Sequence, residues 1–399
     1  MDYSAIIKQL NEQANEFGLA KKLSFSSYEN QGILSLLDNL CPYGEVACFF
    51  DEASFVGHFG LLETIKKKGF KYQSIVEEEY ATSFINVGSY LSLAEQTRAI
   101  VCFTPKAYRL TSYLGSIKSI PVVYLVDSTD ILDLLNTRIP VLNGEGFDYI
   151  SLELKSHIVF DFESINQNRS NQADIFGYLL SLVLSLIDYR IGGFAGVNAL
   201  NSKSFNLMKQ SVLRSYLVYS KPYEEQAIYL IKNFFKCKIA DLSTNGELTS
   251  LSSPILASVL YGDTKVIANP ELVSRLLSLY SIFAGFNEQS FLTLRNNFLD
   301  IVALRNFTGE NAETLYDVIK WQKSVFEKDK ESLLELFVKL KEEIKLLCKS
   351  VSSIRNTYLA LGGKTDLDTQ KLIDAICYSG SVYNCFNGMT LIKESGIID

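Results

Sequence analysis

The first half of the chain alternates short apolar runs with amphipathic stretches. Glu45 to Phe50 reads as a buried strand, and Phe55 to Lys68 as a helix ending at Gly69. Tyr72 to Val76, Ala99 to Phe103 and Pro121 to Val126 read as further strands, with a helix over Tyr108 to Ser119 between the last two. Strands separated by helical segments indicate βαβ units and a parallel sheet. Tyr149 to Leu154 alternates like a hairpin strand, and His157 to Phe162 follows as another. From Asp174 the pattern is helical: Asp174 to Arg190, Ser202 to Tyr219, Tyr223 to Lys236, Pro270 to Ala284 and Glu313 to Lys349. Ile165 to Ala173, rich in Asn, Gln and Ser, reads as the connection. The expected architecture is a Rossmann-like α/β domain over residues 1–165, then an all-helical domain over 174–399.

Composition narrows the function. The chain of 399 residues is 47% hydrophobic and 21% charged, ordinary globular usage that excludes disorder and collagen. Its 38 basic and 45 acidic residues give a net charge of −7, without the basic excess that nucleic-acid binding draws on. The charges of Glu327 to Lys345 recur around Leu333, Leu336, Phe337 and Leu340, as on an amphipathic surface helix. Seven scattered cysteines without CxxC spacing suggest reduced thiols rather than a disulfide framework or zinc knuckle. Met1 to Ala20 lacks the apolar core of a signal peptide, and the most hydrophobic run, Tyr178 to Ile187, is too short to span a bilayer. A soluble, cytoplasmic protein is expected, with no membrane partner.

One helix carries a more specific signal. Phe176-Gly-Tyr-Leu-Leu-Ser-Leu-Val-Leu-Ser-Leu-Ile-Asp-Tyr-Arg-Ile191 resembles, without gaps, the Phe-Gly-Asp-Leu-Leu…Asp-Trp-Arg helix of glycerol-1-phosphate dehydrogenases, matching at Gly177, Asp188 and Arg190. Ser156 to Asp161 resembles the strand leading to that helix, Glu45 to Gly60 the first nucleotide-domain strand and turn, and Ser379 to Asp399 the last helix. The chain thus resembles the dehydroquinate synthase-like superfamily, which includes glycerol dehydrogenase and iron-containing alcohol dehydrogenases. The resemblance implies that fold and an NAD(P)-dependent oxidoreductase ancestry.

Such enzymes use a divalent metal as a Lewis acid, held by one Asp and two His. Here Tyr178 stands at the aligned Asp position. The first His falls within Asn245-Gly-Glu-Leu-Thr-Ser-Leu-Ser252, at Leu248 or Ser252, and the second at Tyr261 of Tyr261-Gly-Asp-Thr-Lys-Val266. A phenol with a pKa of about 10 is a poor zinc ligand at neutral pH, and leucine is none. The chain's two histidines, His58 and His157, both lie in the α/β half and read as surface or packed residues. No family-type metal site is expected.

The family's Gly-Gly-Gly-Ser loop, which lets backbone approach the pyrophosphate, aligns with Thr104-Pro105-Lys106. Pro105 removes an N–H donor, and the flanking side chains fill space that phosphates need. The Asp and Lys that follow in the family align with Leu110 and Tyr113. Gly144-Glu-Gly146 lacks a third glycine and a helix. Lys106, at a helix start, could still meet an anion. Asp127-Ser-Thr-Asp130 follows the fourth strand, where Asp127 or Ser128 is expected to cap a helix over Ile131 to Leu135. Asp51 ends the first strand, at the sheet end where α/β folds bind ligands.

Asp51, Thr104, Lys106, Asp127 and Ser128 are therefore the candidate cofactor positions, and Tyr178 and Tyr261 the candidate acid–base groups. Three readings follow. In the first, a degenerate homologue without metal or dinucleotide serves as a binding or scaffold protein, self-pairing through an α/β edge into a homodimer. In the second, an active polyol or polyol-phosphate oxidoreductase binds NAD(P) unconventionally and uses tyrosine in place of metal. In the third, the interdomain cleft senses a small molecule.

Overall fold

The computed structural model describes residues 2–28, 30–42, 44–68, 71–75, 96–143, 146–194, 199–249, 357 and 360–362. Ser252, Tyr261 and the helices expected over 270–284, 313–349 and from Ser379 lie outside these residues. The chain divides into two compact units. One comprises Met1–Asn143, Asp148–Asn171 and Pro222–Asn245; the other holds Gly144–Phe147, Gln172–Lys221 and the described residues from Gly246 on.

The first unit is built on a parallel sheet. Its strands are β1 (Leu23–Ser27), β2 (Glu45–Phe49), β3 (Lys71–Ile75), β4 (Thr97–Cys102), β5 (Val122–Val126) and β8 (Ser156–Phe160), in the order β1-β8-β5-β4-β2-β3. Strand β5 is five apolar residues, Val-Val-Tyr-Leu-Val, all buried, as a central strand covered on both faces requires. On one face, Val46, Cys48, Val101, Val123, Leu125 and Val159 share a core with helices α2 (Asn30–Leu40) and α3 (Glu52–Lys67). On the other lie Tyr124 and the helix α4 (Tyr108–Lys118), whose Tyr108 ring meets Tyr124 edge-on at 5.5 Å. Gly115 allows that approach, because a Cβ there would lie 2.4 Å from Val122 Cγ2.

The sheet's outer strand β1 lies against α1 (Tyr3–Glu16), and α1 closes its edge. The Asn11 side chain donates to Phe25 O at 2.8 Å and accepts from Phe25 N–H at 2.9 Å, standing in for a neighbouring strand. Leu23 N–H donates to Leu19 O at 2.8 Å. The β1 edge is thus occupied by the chain itself, a protection typical of edge strands. Helix α8 (Tyr223–Leu242), which periodicity alone groups with the helical half, stands in this first unit and packs on α1 and α5 (Phe162–Gln167). Its Phe235 meets Phe25 and Phe160 edge-on at 5.5 and 5.2 Å.

Two local expectations need correction. Ile131 to Leu135 forms turns, not a helix capped by Asp127 or Ser128. Ile131, Leu132, Leu134 and Leu135 are all buried, and Leu135 has a positive φ of 57° that ends any helical run. Thr129 instead ties the segment to the chain after α5: its N–H donates to Asn168 O at 3.1 Å, and its Oγ1 accepts from Asn171 N–H at 3.0 Å. The hairpin strand lies at β7 (Gly146–Ser151) and pairs with β6 (Arg138–Asn143), which contains Pro140.

In the second unit, α6 (Gln172–Phe194) is the helix carrying the dehydrogenase-like motif. Ile175, Phe176, Tyr178, Leu179 and Leu180 are consecutive or nearly so and all buried, the mark of a helix enclosed on most sides. It packs on α7 (Ser202–Ser215) and on the turn Glu247–Thr249. Tyr189 OH donates to Ala199 O at 2.6 Å and accepts from Asn201 N–H at 2.8 Å, fixing the link between the helices. Among the described residues no helix is long and apolar enough to cross a membrane.

Candidate functional site

At the carboxyl ends of the strands the first unit opens into a crevice of about 420 Å³. Tyr28 enters it after β1, Asp51 after β2, Phe103 and Thr104 after β4, Asp127 after β5 and Asp161 after β8. The strand backbones stop pairing here while the following helices begin, so polar groups gather by topology.

Asp51 is the N-cap of α3. Its carboxylate accepts from Ser54 N–H at 2.9 Å and Ser54 Oγ at 2.8 Å, in a reciprocal capping box. The same carboxylate takes the Thr104 hydroxyl at 3.1 Å and lies 3.5 Å from Lys106 Nζ. Burial pushes its pKa up. The Ser54 backbone N–H and hydroxyl, the Thr104 hydroxyl and the Lys106 charge outweigh that and hold it below the ordinary carboxylate value. Asp161 caps α5 in the same manner, through Ser164 N–H at 3.1 Å and Ser164 Oγ at 2.8 Å. The third carboxylate, Asp127, faces His58, with Nε2 3.4 Å from Oδ2.

His58 breaks the helical geometry of α3, with φ −114° and ψ 15°. It is buried, and its ring lies against Phe103 at 5.4 Å and edge-on to Tyr28 at 6.1 Å. His58 Nε2 and the Asp127 carboxylate thus face one another within the crevice. Burial, then the nearby Asp161 charge, raises the Tyr28 phenol above its ordinary pKa, so it is neutral at physiological pH.

Asp51, Thr104, Asp127 and, through its ion pair with Asp51, Lys106 are thus brought together. Ser128 is absent from the crevice lining; its Oγ accepts from Asp130 N–H at 3.4 Å. Sequence reasoning missed His58, Tyr28 and Asp161. His58 had a signal: it follows Ser54 by four residues on the helix that starts at Asp51, so both face the strand ends. Tyr28 had none once β1 was overlooked. In the second unit, Tyr178 is buried on α6 and Leu248 is buried in the turn that packs on it. Tyr261 lies outside the described residues.

No family model matches the chain, and no curated protein matches it in sequence. Solved structures do. An iron-containing alcohol dehydrogenase from Corynebacterium glutamicum superposes with a TM-score of 0.52 at 10% identity, over 94% of this chain and 94% of its own. An archaeal halo-thermophilic Red Sea brine pool alcohol dehydrogenase gives 0.50 at 10% identity, over 94% and 97%. A probable glycerol dehydrogenase from Sinorhizobium meliloti gives 0.49 at 10% identity, over 95% and 98%. The chain has the fold of the iron-containing alcohol dehydrogenases, as its motifs implied.

The metal and the dinucleotide that the resemblance implies would need donors and space at these positions. Tyr178 and Leu248, which the resemblance aligns with ligand positions, offer a phenol and a hydrocarbon, and among the described residues no three His, Cys, Asp or Glu side chains lie so that they could hold a metal ion. Where a dinucleotide's phosphates would need donors and space, the crevice presents three carboxylates and a loop with Pro105 and the fully buried Thr104.

Proposed function

We propose that this chain keeps the body of an alcohol dehydrogenase of this fold without its metal and dinucleotide chemistry, and acts as a binding or scaffold protein. The observation that carries this reading is the crevice lined by Asp51, Asp127 and Asp161 at the strand ends. A diphosphate placed there would meet like charges a few ångströms away, each costing on the order of 1 kcal/mol or more even in a watery medium. The test is a thermal-shift titration of the whole protein with NAD⁺, NADP⁺ and zinc. A ligand at a hundred times its dissociation constant stabilises the fold by about 2.7 kcal/mol. No shift is expected with any of the three. A saturable shift with either dinucleotide would refute the reading and favour an active polyol oxidoreductase with a non-standard NAD(P) site.

A further inference from the structure

We infer that the Asp51 carboxylate is a built-in anion, occupying the donors that a ligand's phosphate would otherwise take at the strand ends. The inference rests on the reading above, that the chain binds no dinucleotide. Two independent elements aim at this one group. The first is the start of α3, which gives it Ser54 N–H at 2.9 Å. The second is the loop after β4, which gives it the Thr104 hydroxyl at 3.1 Å and the Lys106 ammonium at 3.5 Å. Thr104 is fully buried, so its hydroxyl is committed to this contact and does not face bulk solvent. The loop that would cradle a diphosphate has thus turned its hydroxyl and its ammonium onto a neighbouring strand end. A carboxylate among a helix-start N–H, a hydroxyl and an ammonium makes the contacts of a bound anion. Removing that carboxylate should leave an empty anion site of the same donors.

The probe is inorganic pyrophosphate, followed by calorimetry at low salt and neutral pH. Asp51→Ser shortens the side chain and keeps an N-capping hydroxyl. This variant is expected to bind pyrophosphate roughly tenfold or more tightly than the wild type, the scale of one charge removed at close range. Adding Lys106→Met should abolish the gain. Should Asp51→Ser fail to fold, Asp51→Asn, which removes the charge and preserves the cap, takes the same measurement. Wild-type binding as tight as the variant's, or a folded variant that binds no better than wild type, overturns the inference. The latter result leaves the proposed function standing, whereas a dinucleotide shift in the wild type removes both.

Discussion

Lys238 offers the sharpest test of the packing, because α8 places its ammonium in the interior of the first unit. The residue is 2% exposed. Its Nζ donates to Asn136 Oδ1 at 2.5 Å and sits 5.2 Å from the Phe234 ring centre. Burial pulls its pKa down, and Asp241 and Asp133 restore part of the loss, leaving it lowered from 10.5 to about 8. The folded value lies below the unfolded one. Below pH 8 both states are charged and the cost of the buried ammonium is fully present. Between about 8 and 10.5 the unfolded chain holds a proton that the folded chain has released, so raising the pH stabilises the fold. At 1.36 kcal/mol per pH unit the gain is about 3 kcal/mol. Lys238→Met keeps the apolar stem and removes the titration, losing about 1 kcal/mol of hydrogen bonding to Asn136. At neutral pH the variant should therefore be the more stable by about 2 kcal/mol. That advantage should vanish, then reverse, by pH 10.5. Urea denaturation of both proteins at pH 7.5, 9 and 10.5 measures this. A difference between them that stays constant over the range would refute the assignment.

Other changes probe other parts of the first unit. Asp161→Ala removes the cap of α5 and should cost about 1 kcal/mol in the same denaturation assay, with Asp161→Asn close to wild type. Gly115→Ala drives a methyl against Val122 and, at 3.3 Å, the Ile120 carbonyl, so a loss of about 1–3 kcal/mol is expected on thermal unfolding. Asn11→Ala leaves Phe25 N–H and O without their partner on β1. It should lower stability by about 1–3 kcal/mol and raise concentration-dependent association, read by light scattering.

The central strands were legible because they are unbroken apolar runs: β2, β4 and β5 fall within two residues of their expected limits. Strand β1 was not, because Leu-Ser-Phe-Ser-Ser carries three serines, of which Ser26 and Ser27 are exposed at the rim. Pro140 concealed β6, since proline argues against a strand unless pairing is confined to one side. The run Ile131 to Leu135 was mistaken for a helix because its spacing of apolar residues does not report the positive φ at Leu135. The strand-end rule found Asp51, whereas Thr104 came from the resemblance to a glycine loop and Asp127 from its place after the fourth strand; a parallel sheet brings its carboxyl ends together, so the three converge. The pairing of Asp127 with His58 joins residues 69 apart on different elements, and no local pattern announces a partner at that distance.

Strand β1 stands beside β8, and their side chains Ser24 and His157 touch across 133 residues of chain. A ribosome releases the first of these strands long before the second exists. Until then the segment from Leu23 to Ser27 has its own Asn11 and Leu19 on one flank and nothing sheet-like on the other. Joining β1 to β8 closes a loop of that length, whose entropy is lost before the contact rewards it, so the amino-terminal helix and strand are expected to complete the sheet after its central strands have paired. Pulsed hydrogen exchange during refolding should find the amides of this helix and strand protected after those of β2, β4 and β5.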